Sequence, residues 1–307
     1  MPNYGVIDLG SNSIRLVIYE VKDDRRETYT NKDFKSLIND KVMAGLSAYV
    51  VDGAFTQAGI DRAVNVLKGH AKRSRYFDCK RLEVFATAVL RNASNCNQAV
   101  AEIEERTGLP ISLLSAQDEA HLGFVGATCD RSVVRGTLVD IGGGSTELTR
   151  IEDDRDFDNV SLGQGSLSSF ARYVRAILPA DPEMRAIERA LRDHLDKLPH
   201  PEAYRADTLY GIGGSTRAAA KMLQQATGSA TRPKTMTRDD IHAILKWCRI
   251  DPDAFAHAAL KASAERVHTL VPGCIILHAL FDAFGAQRLE ICKYGVREGY
   301  LIERMLL

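Results

Sequence analysis

The sequence predicts an α/β protein built from two related domains. Three observations lead there. Strand-like runs alternate with helix-like runs along most of the chain. The stretch Val6-Ile7-Asp8-Leu9-Gly10-Ser11-Asn12-Ser13-Ile14-Arg15-Leu16 returns as Leu138-Val139-Asp140-Ile141-Gly142-Gly143-Gly144-Ser145-Thr146-Glu147-Leu148. At 307 residues the chain is longer than one ordinary hydrophobic core holds.

In the repeat, Asp8 matches Asp140, Gly10 matches Gly142, Ser13 matches Ser145 and Leu16 matches Leu148. The offset of 132 residues is far too long for a solenoid. Each copy reads as a strand, an acidic residue at its end, a glycine turn with hydroxyls, and a second strand. Glycines lack Cβ atoms, so backbone N–H groups can close on a phosphate. Asp140, at the mouth of its turn, can hold Mg²⁺ directly or through water. A strand, three glycines and a strand also reads as a plain hairpin. Two such hairpins facing each other across a cleft would bring two phosphate turns and two carboxylates to one ligand.

The other elements follow in order. Residues 4–9 and 14–21 are β-rich around the Gly-Ser-Asn-Ser turn, and the charged residues 22–26 read as a hairpin tip. Residues 31–55 resist assignment. Thr56 suits the N-cap of a helix reaching Arg75, with Ile60, Val64 and Leu67 on one face. Its end carries Lys68, His70, Lys72, Arg73 and Arg75. That cluster reads as a solvated helix end whose cations complement the dipole, or as a polyanion track. Residues 81–86 form a strand running into 87–92, and residues 97–107 form a helix stopped by Gly108 and Pro110. A short strand at 111–114 precedes a helix opened by Ser115-Ala116-Gln117-Asp118-Glu119-Ala120.

In the second half, a strand at 160–162 leads through Gly163-Gln164-Gly165-Ser166 into a helix to Val174. Ile187, Leu191, Leu195 and Leu198 have helical spacing and read as core. The strand 208–212 enters Gly213-Gly214-Ser215-Thr216 and then a helix, whose N-terminus is an anion site. Many strand-to-helix turns carry two glycines for packing alone. Helices are expected over 237–248, 256–268 and 275–284, then a strand at 289–293 and a closing helix to 307.

Composition narrows the function. Apolar content of 45% and charged content of 26% are those of a globular protein. Net charge is zero, so no overall basic field marks a nucleic-acid binder. The six cysteines are scattered without a CxxC pair, which argues against a zinc site or disulfide framework and for a cytoplasmic, reducing location. No leader-like start is seen, and the apolar run 271–280 is interrupted by Pro272, Gly273 and His278. No membrane partner is expected.

Taken together, Ile7 to Leu16, Ala86 to Ala93, Ser115 to Ala120, Val139 to Leu148, Gly211 to Arg217 and Tyr294-Gly295-Val296-Arg297-Glu298-Gly299 resemble the exopolyphosphatase / guanosine pentaphosphate phosphatase family. That family lies within the actin, hexokinase and sugar-kinase-like superfamily. The blocks occur in the family's order and cover nearly the whole chain. The resemblance implies two actin-like (ribonuclease H-like) lobes, each a mixed sheet flanked by helices, with the active site in the cleft between them. It places the domains at 1–121, with about 297–307 returning, and at 122–296. The chain looks like the short two-domain form, without the helical modules of longer relatives. Residues 37–46 depart from the family's Arg-Leu-Gly-x-Gly-Leu run, which puts phosphate contacts from that segment in doubt. Asp118-Glu119 stands where Glu-Glu is common, and His121 where Arg is common.

The resemblance assigns Glu119 as the base, by position. The chemistry of phosphoanhydride cleavage suggests the other roles. Arg91 is a two-pronged phosphate clamp. Ser11, Asn12, Ser13, Gly142, Gly143, Gly144, Ser145, Gly213, Gly214, Ser215 and Thr216 supply phosphate-binding donors. Mg²⁺ is held at Asp140 with help from Asp8 and Glu147, and a monovalent cation such as K⁺ is an accessory expectation. Plainer readings stand beside these. Glu119 can complement a helix dipole, Arg91 can serve an ion pair, and Glu147 can face solvent. His121, His257, His268 and His278 have no ligand spacing, and Arg266, Arg297 and Glu298 read as a structural network near the domain junction. The expected activity is release of terminal orthophosphate from inorganic polyphosphate, favouring short chains, by a homodimer. The alternatives are 5′-hydrolysis of guanosine pentaphosphate or another nucleoside polyphosphate, and a non-hydrolytic binding regulator.

Overall fold

The structure, a computed structural model, describes all residues from Met1 to Leu307. It divides into two compact units, Met1–Ser132 with Tyr294–Leu307, and Val133–Lys293. The first division falls after Ser132 rather than after residue 121. A break at 121 would cut one continuous helix, Ala116–Thr128. The return to the first unit begins at Tyr294, three residues earlier than the expected 297.

The first unit starts with β1 (Asn3–Leu9), β2 (Ser13–Val21) and β3 (Phe34–Met43). Residues 31–55 therefore hold a full-length edge strand, and after it a 3₁₀ turn at Leu46–Tyr49 and a small hairpin of β4 (Val50–Val51) and β5 (Ala54–Phe55). Helix α1 (Gln57–Arg75) opens on Thr56, whose hydroxyl accepts from the Gly59 amide. β6 (Cys79–Ala86), α2 (Ala88–Arg91), α3 (Cys96–Thr107), β7 (Ile111–Leu113) and α4 (Ala116–Thr128) follow. The sheet order is β3-β2-β1-β6-β7. β1, β2 and β3 pair antiparallel, while β6 and β7 run parallel to β1. Both faces are covered. Ile7, Leu9, Leu16 and Val84 pack on Ile60, Val64 and Leu67 of α1. Tyr4, Val6, Val17 and Phe85 pack on the other side with Leu122 of α4. That explains the nearly unbroken apolar runs of the central strands. The basic cluster at the end of α1 is not one track, because His70 is fully buried and Arg73 pairs with Asp40 at 2.8 Å.

The second unit repeats the plan. β8 (Arg135–Ile141), β9 (Thr146–Glu152) and β10 (Arg155–Leu162) are antiparallel. Helices α5 (Ser166–Tyr173) and α6 (Asp181–Leu195), strand β11 (Thr208–Ile212) and helix α7 (Gly213–Thr227) come next. A short β12 (Thr235–Met236), α8 (Arg238–Ile250), α9 (Pro252–Ser263), α10 (Val267–Phe284) and β13 (Arg288–Ile291) complete it. The order is β10-β9-β8-β11-β13-β12, with β11 and β13 parallel to β8. The duplication seen at the glycine turns thus extends across five strands of each sheet. The helix expected to start at residue 275 instead starts at Val267 and carries Pro272 inside it. Pro272 forfeits only one bond near the first turn, and burial of Leu270, Val271, Ile276 and Leu280 outweighs that loss. The apolar window in Pro252–Phe284 is 72% buried inside the protein, as a core helix is.

The chain then returns to the first unit as α11 (Val296–Tyr300) and a π-helical turn, Leu301–Leu306. α11 lies against α4 at backbone distance. A Cβ on Gly126 would stand 1.9 Å from the Gly295 carbonyl oxygen, and one on Gly299 would stand 1.9 Å from that of Leu122. Gly126→Ala or Gly299→Ala should cost about 2 kcal/mol, with the urea midpoint lowered; an unchanged midpoint would mean the helices do not touch. A pH effect follows from His70, which sits 3.4 Å from the Ile14 carbonyl and 3.3 Å from Asp40. Burial holds its pKa below the ordinary 6.5. The unfolded chain therefore takes the proton first, so this contribution is intact above about pH 6.5 and lost as pH falls toward the depressed folded value. Denaturant midpoints should fall between about pH 7.5 and 5, and the fall should shrink in His70→Gln.

Candidate active site

Both glycine turns close by the same main-chain bond. The Gly10 amide donates to the Ser13 carbonyl at 3.1 Å, and the Gly142 amide to the Ser145 carbonyl at 2.9 Å. Asp8 stands opposite Arg15 in the strand register, and Asp140 opposite Glu147. The two acidic residues thus occupy one place in two copies of one hairpin.

Neighbouring backbone braces each turn through its carbonyl oxygens. Asn12 accepts from the Ala44 and Gly45 amides, and Ser11 from the Ser47 amide. The segment that departs from the family pattern therefore supports the first turn with main chain, which a change of side chains does not disturb. In the second turn, Gly142 accepts from the Ser166 amide, and Gly143 from the Leu167 and Ser168 amides, each at 2.9 Å. These are the first amides of α5. Gly165 has no room for a side chain, since its Cβ would lie 2.6 Å from the Gly143 carbonyl. The bonds that fix the turn consume its carbonyls and not the amides of Gly143 and Gly144, which suits those N–H groups to an anion.

The third turn joins the second. Parallel pairing sets Ile212 of β11 opposite Asp140 of β8. Gly213 follows with φ of 79°, and its Cβ would lie 2.1 Å from Asp140 Oδ1. A Cβ on Gly214 would lie 2.0 Å from the guanidinium of Arg266. Asp140, Gly213, Gly214 and Arg266 therefore form one tight group at the start of α7. Burial lowers the Arg266 pKa, against which the Glu265 and Asp140 charges act.

Several expected side chains have other partners. The Ser145 and Ser161 hydroxyls donate to Glu147 Oε1 at 2.6 and 2.9 Å. Glu147 is buried rather than solvent-facing, and it anchors the turn. The Ser215 hydroxyl donates to the Ile141 carbonyl at 2.7 Å, and Thr216 is fully buried against Gly211. From these positions the backbone can meet a phosphate while the Ser145, Ser161 and Ser215 hydroxyls knit the turns together. Side-chain partners of this kind lie across strands and helices, which a linear motif does not reveal.

In the first unit, the Ser115 hydroxyl caps α4 by accepting from the Asp118 amide, and Glu119 follows in the first turn. Arg91 Nη1 donates to Glu119 Oε2 and to the Leu114 carbonyl, both at 2.9 Å. The pair is largely enclosed, with side-chain exposures of 17% and 13%. Arg91 thus orients the carboxylate expected as base, and an ion pair is its first role in this structure. Asp8 Oδ2 accepts from Arg297 Nη1 at 2.8 Å. Burial works against the Arg297 charge, but Asp8 and Glu298 outweigh it and hold its pKa above the ordinary guanidinium value.

No group of three or more His, Cys, Asp or Glu side chains is gathered as a metal cage. That donor set does not suit zinc, but it fits Mg²⁺, which takes one or two carboxylates and fills its other positions with water and phosphate oxygens. Asp140, against Gly213, is the carboxylate that would hold it. Sequence reasoning missed Arg266 at this site, 126 positions after Asp140. Its only signal was a charged residue at the foot of an apolar helix.

The family model described as the Ppx/GppA phosphatase family matches residues 17–307. Exopolyphosphatase 1 of Mycobacterium tuberculosis (strain ATCC 25618 / H37Rv) is 26% identical over 313 aligned residues, covering 98% of this chain and 88% of that protein. Exopolyphosphatase 1 of Mycobacterium leprae is also 26% identical, with 98% and 89% covered. Among solved structures, an exopolyphosphatase from Cytophaga hutchinsonii superposes with a TM-score of 0.82 at 20% identity, covering 97% of this chain and 96% of that one. The Aquifex aeolicus member of the Ppx/GppA family gives 0.78 at 20% identity, covering 99% and 98%. These structures share the fold.

Gly213→Ala tests the tight group directly. The new Cβ meets Asp140, and the backbone there has positive φ. Thermal and urea unfolding should show a loss of about 2–3 kcal/mol; a loss under about 0.5 kcal/mol would mean that Asp140 does not lean on this glycine.

Proposed function

Because this chain belongs to the Ppx/GppA phosphatase family, we propose that it is an exopolyphosphatase that releases terminal orthophosphate from inorganic polyphosphate. The observation that carries the reading is the duplicated Asp-glycine turn, combined with a carboxylate, Glu119, fixed at a helix start by Arg91. Full-length relatives named as exopolyphosphatases support it. Net charge of zero favours short chains over long ones, since no extended basic field is present to hold a long polyanion. Six unpaired cysteines favour a cytoplasmic setting.

The residues divide the work by chemistry. Backbone N–H groups at Gly143, Gly144 and the start of α7 bind phosphate oxygens and hold the terminal group still. Arg266, at the Gly213-Gly214 turn, adds a cation. Glu119 accepts the proton of the attacking water, and Arg91 keeps its carboxylate aimed while retaining further N–H donors for a phosphate oxygen. Mg²⁺, held at Asp140, offsets phosphate charge when bound.

The deciding experiment is phosphate release from tripolyphosphate, long-chain polyphosphate, guanosine pentaphosphate and ATP. Tripolyphosphate should be the best substrate. Preference for guanosine pentaphosphate would move the activity to nucleoside polyphosphates, and no release from any would favour a binding regulator. Glu119→Gln should lower turnover by about two orders of magnitude with binding of the substrate retained. EDTA should silence the enzyme and added Mg²⁺ restore it; full activity in metal-stripped buffer would remove the metal from this account.

A further inference from the structure

At the end of the second unit's sheet opposite its glycine turns lies an open groove of about 940 Å³, lined by residues of that unit alone. The volume is that of a small-molecule site. Three arginines from separate segments meet on it. Arg135 begins β8, Arg288 begins β13, and Arg205 follows the 3₁₀ turn Pro201–Tyr204 that leads toward β11. β11 lies between β8 and β13, so Arg135 and Arg288 flank its start. Main-chain bonds fix the floor. The Asp207 carbonyl accepts from the Gln287 and Arg288 amides at 2.9 and 3.2 Å, and the Phe284 carbonyl from the Ala206 amide at 3.3 Å. The Phe281 carbonyl accepts from the Gly285 and Ala286 amides. These carbonyls at the end of α10 are thus engaged and do not stand bare against an anion.

All three arginines are exposed, and Arg135 and Arg205 form no ion pair within the protein. Arg288 approaches Glu290 no closer than 3.6 Å. Two carboxylates share the groove. Asp282 is engaged by Arg238 and lies 3.6 Å from His278 Nδ1, which leaves Asp207 against three guanidiniums.

We propose that this groove binds an oligophosphate, the chemistry shared by an inorganic chain and the phosphates of a nucleotide. Each planar guanidinium can take two oxygens of one phosphate, so three of them around one groove suit a ligand with several such groups. The groove is distinct from the turns, because five residues of β8 separate Arg135 from Asp140, about 17 Å of strand. It is a place where the ligand is held, apart from any place where it is cleaved. Binding there does not depend on the phosphatase reading. A nucleotide would also meet the Tyr210 ring, which lines the groove and lies across Gly136.

The test treats the intact protein with phenylglyoxal, which modifies arginines, and maps the modified positions by mass spectrometry. Tripolyphosphate, ATP and sodium chloride of matched ionic strength are compared. Tripolyphosphate should slow modification of Arg135 and Arg205 by about fivefold or more beyond the salt control. In titration calorimetry with EDTA present, the double variant Arg135→Gln/Arg205→Gln should bind one equivalent of tripolyphosphate fewer than the parent. ATP that protects at about a tenth of the tripolyphosphate concentration, with the advantage lost in Tyr210→Leu, would support the site and mark the ligand as a nucleotide. Equal or weaker protection by ATP would support it as a site for the inorganic chain. Protection no greater than in salt would overturn the proposal, as would equal stoichiometry in parent and double variant. If the double variant does not fold, the protection map of the parent decides alone. If the groove arginines are protected and the parent releases no phosphate from any substrate, the proposed function fails while this site stands.

Discussion

The register of β8 against β11 constrains everything at the second pair of turns. It sets Asp140 level with Ile212, so the next residue, Gly213, has the carboxylate where its side chain would be. Parallel pairing fixes that register by hydrogen bonds along both strands, and buried apolar residues on the sheet faces prevent a slip. Once Asp140 is placed, the adjoining turn has to accept α5 onto its carbonyls, and α7 has to start without side chains. The glycines are therefore a consequence of strand order more than of loop flexibility.

Charge follows a similar logic. Three of the acidic residues that the sequence singles out for chemistry have a cation supplied by a distant segment: Arg91 for Glu119, Arg297 for Asp8, Arg266 near Asp140. A site for a polyanion is hard to build around carboxylates unless their charge is balanced locally. A protein with no net charge achieves this by pairing and not by an overall field.

Much of this was readable in the sequence, because the readable parts are local. Strand alternation, the Thr56 and Ser115 caps and the glycine turns are each set by a few adjacent residues. The duplication was visible in eleven positions and proved to organise whole sheets. What stayed hidden depends on pairs far apart in the chain. Residues 31–55 could not be read as an edge strand because an edge needs only one face to be apolar. Pro272 marked a helix boundary by local rules, and core burial overrode it. The serine partners of Glu147 were hidden because one comes from its own turn and the other from a third strand. Arg266 showed locally only as a charge at the foot of an apolar helix, since its place at the site depends on a glycine 52 positions earlier.

The return of residues Tyr294–Leu307 to the first unit bears on how the protein is made. Tyr300 packs on Phe85 and bonds to Glu83 and Ser112, and Arg81 reaches the Met305 carbonyl. The second unit, by contrast, is one continuous stretch, Val133–Lys293. During synthesis the second unit can close as soon as it clears the ribosome. The first, although translated earlier, has to wait with one face of its sheet covered only in part, by α4, until the chain has passed residue 300. Its contacts span nearly the full chain length, and such long loop closures slow folding and prolong exposure of apolar surface. The order of synthesis and the order of completion are thus reversed. The half-built first unit, with Phe85 and Tyr19 unprotected, is the species a chaperone would have to guard.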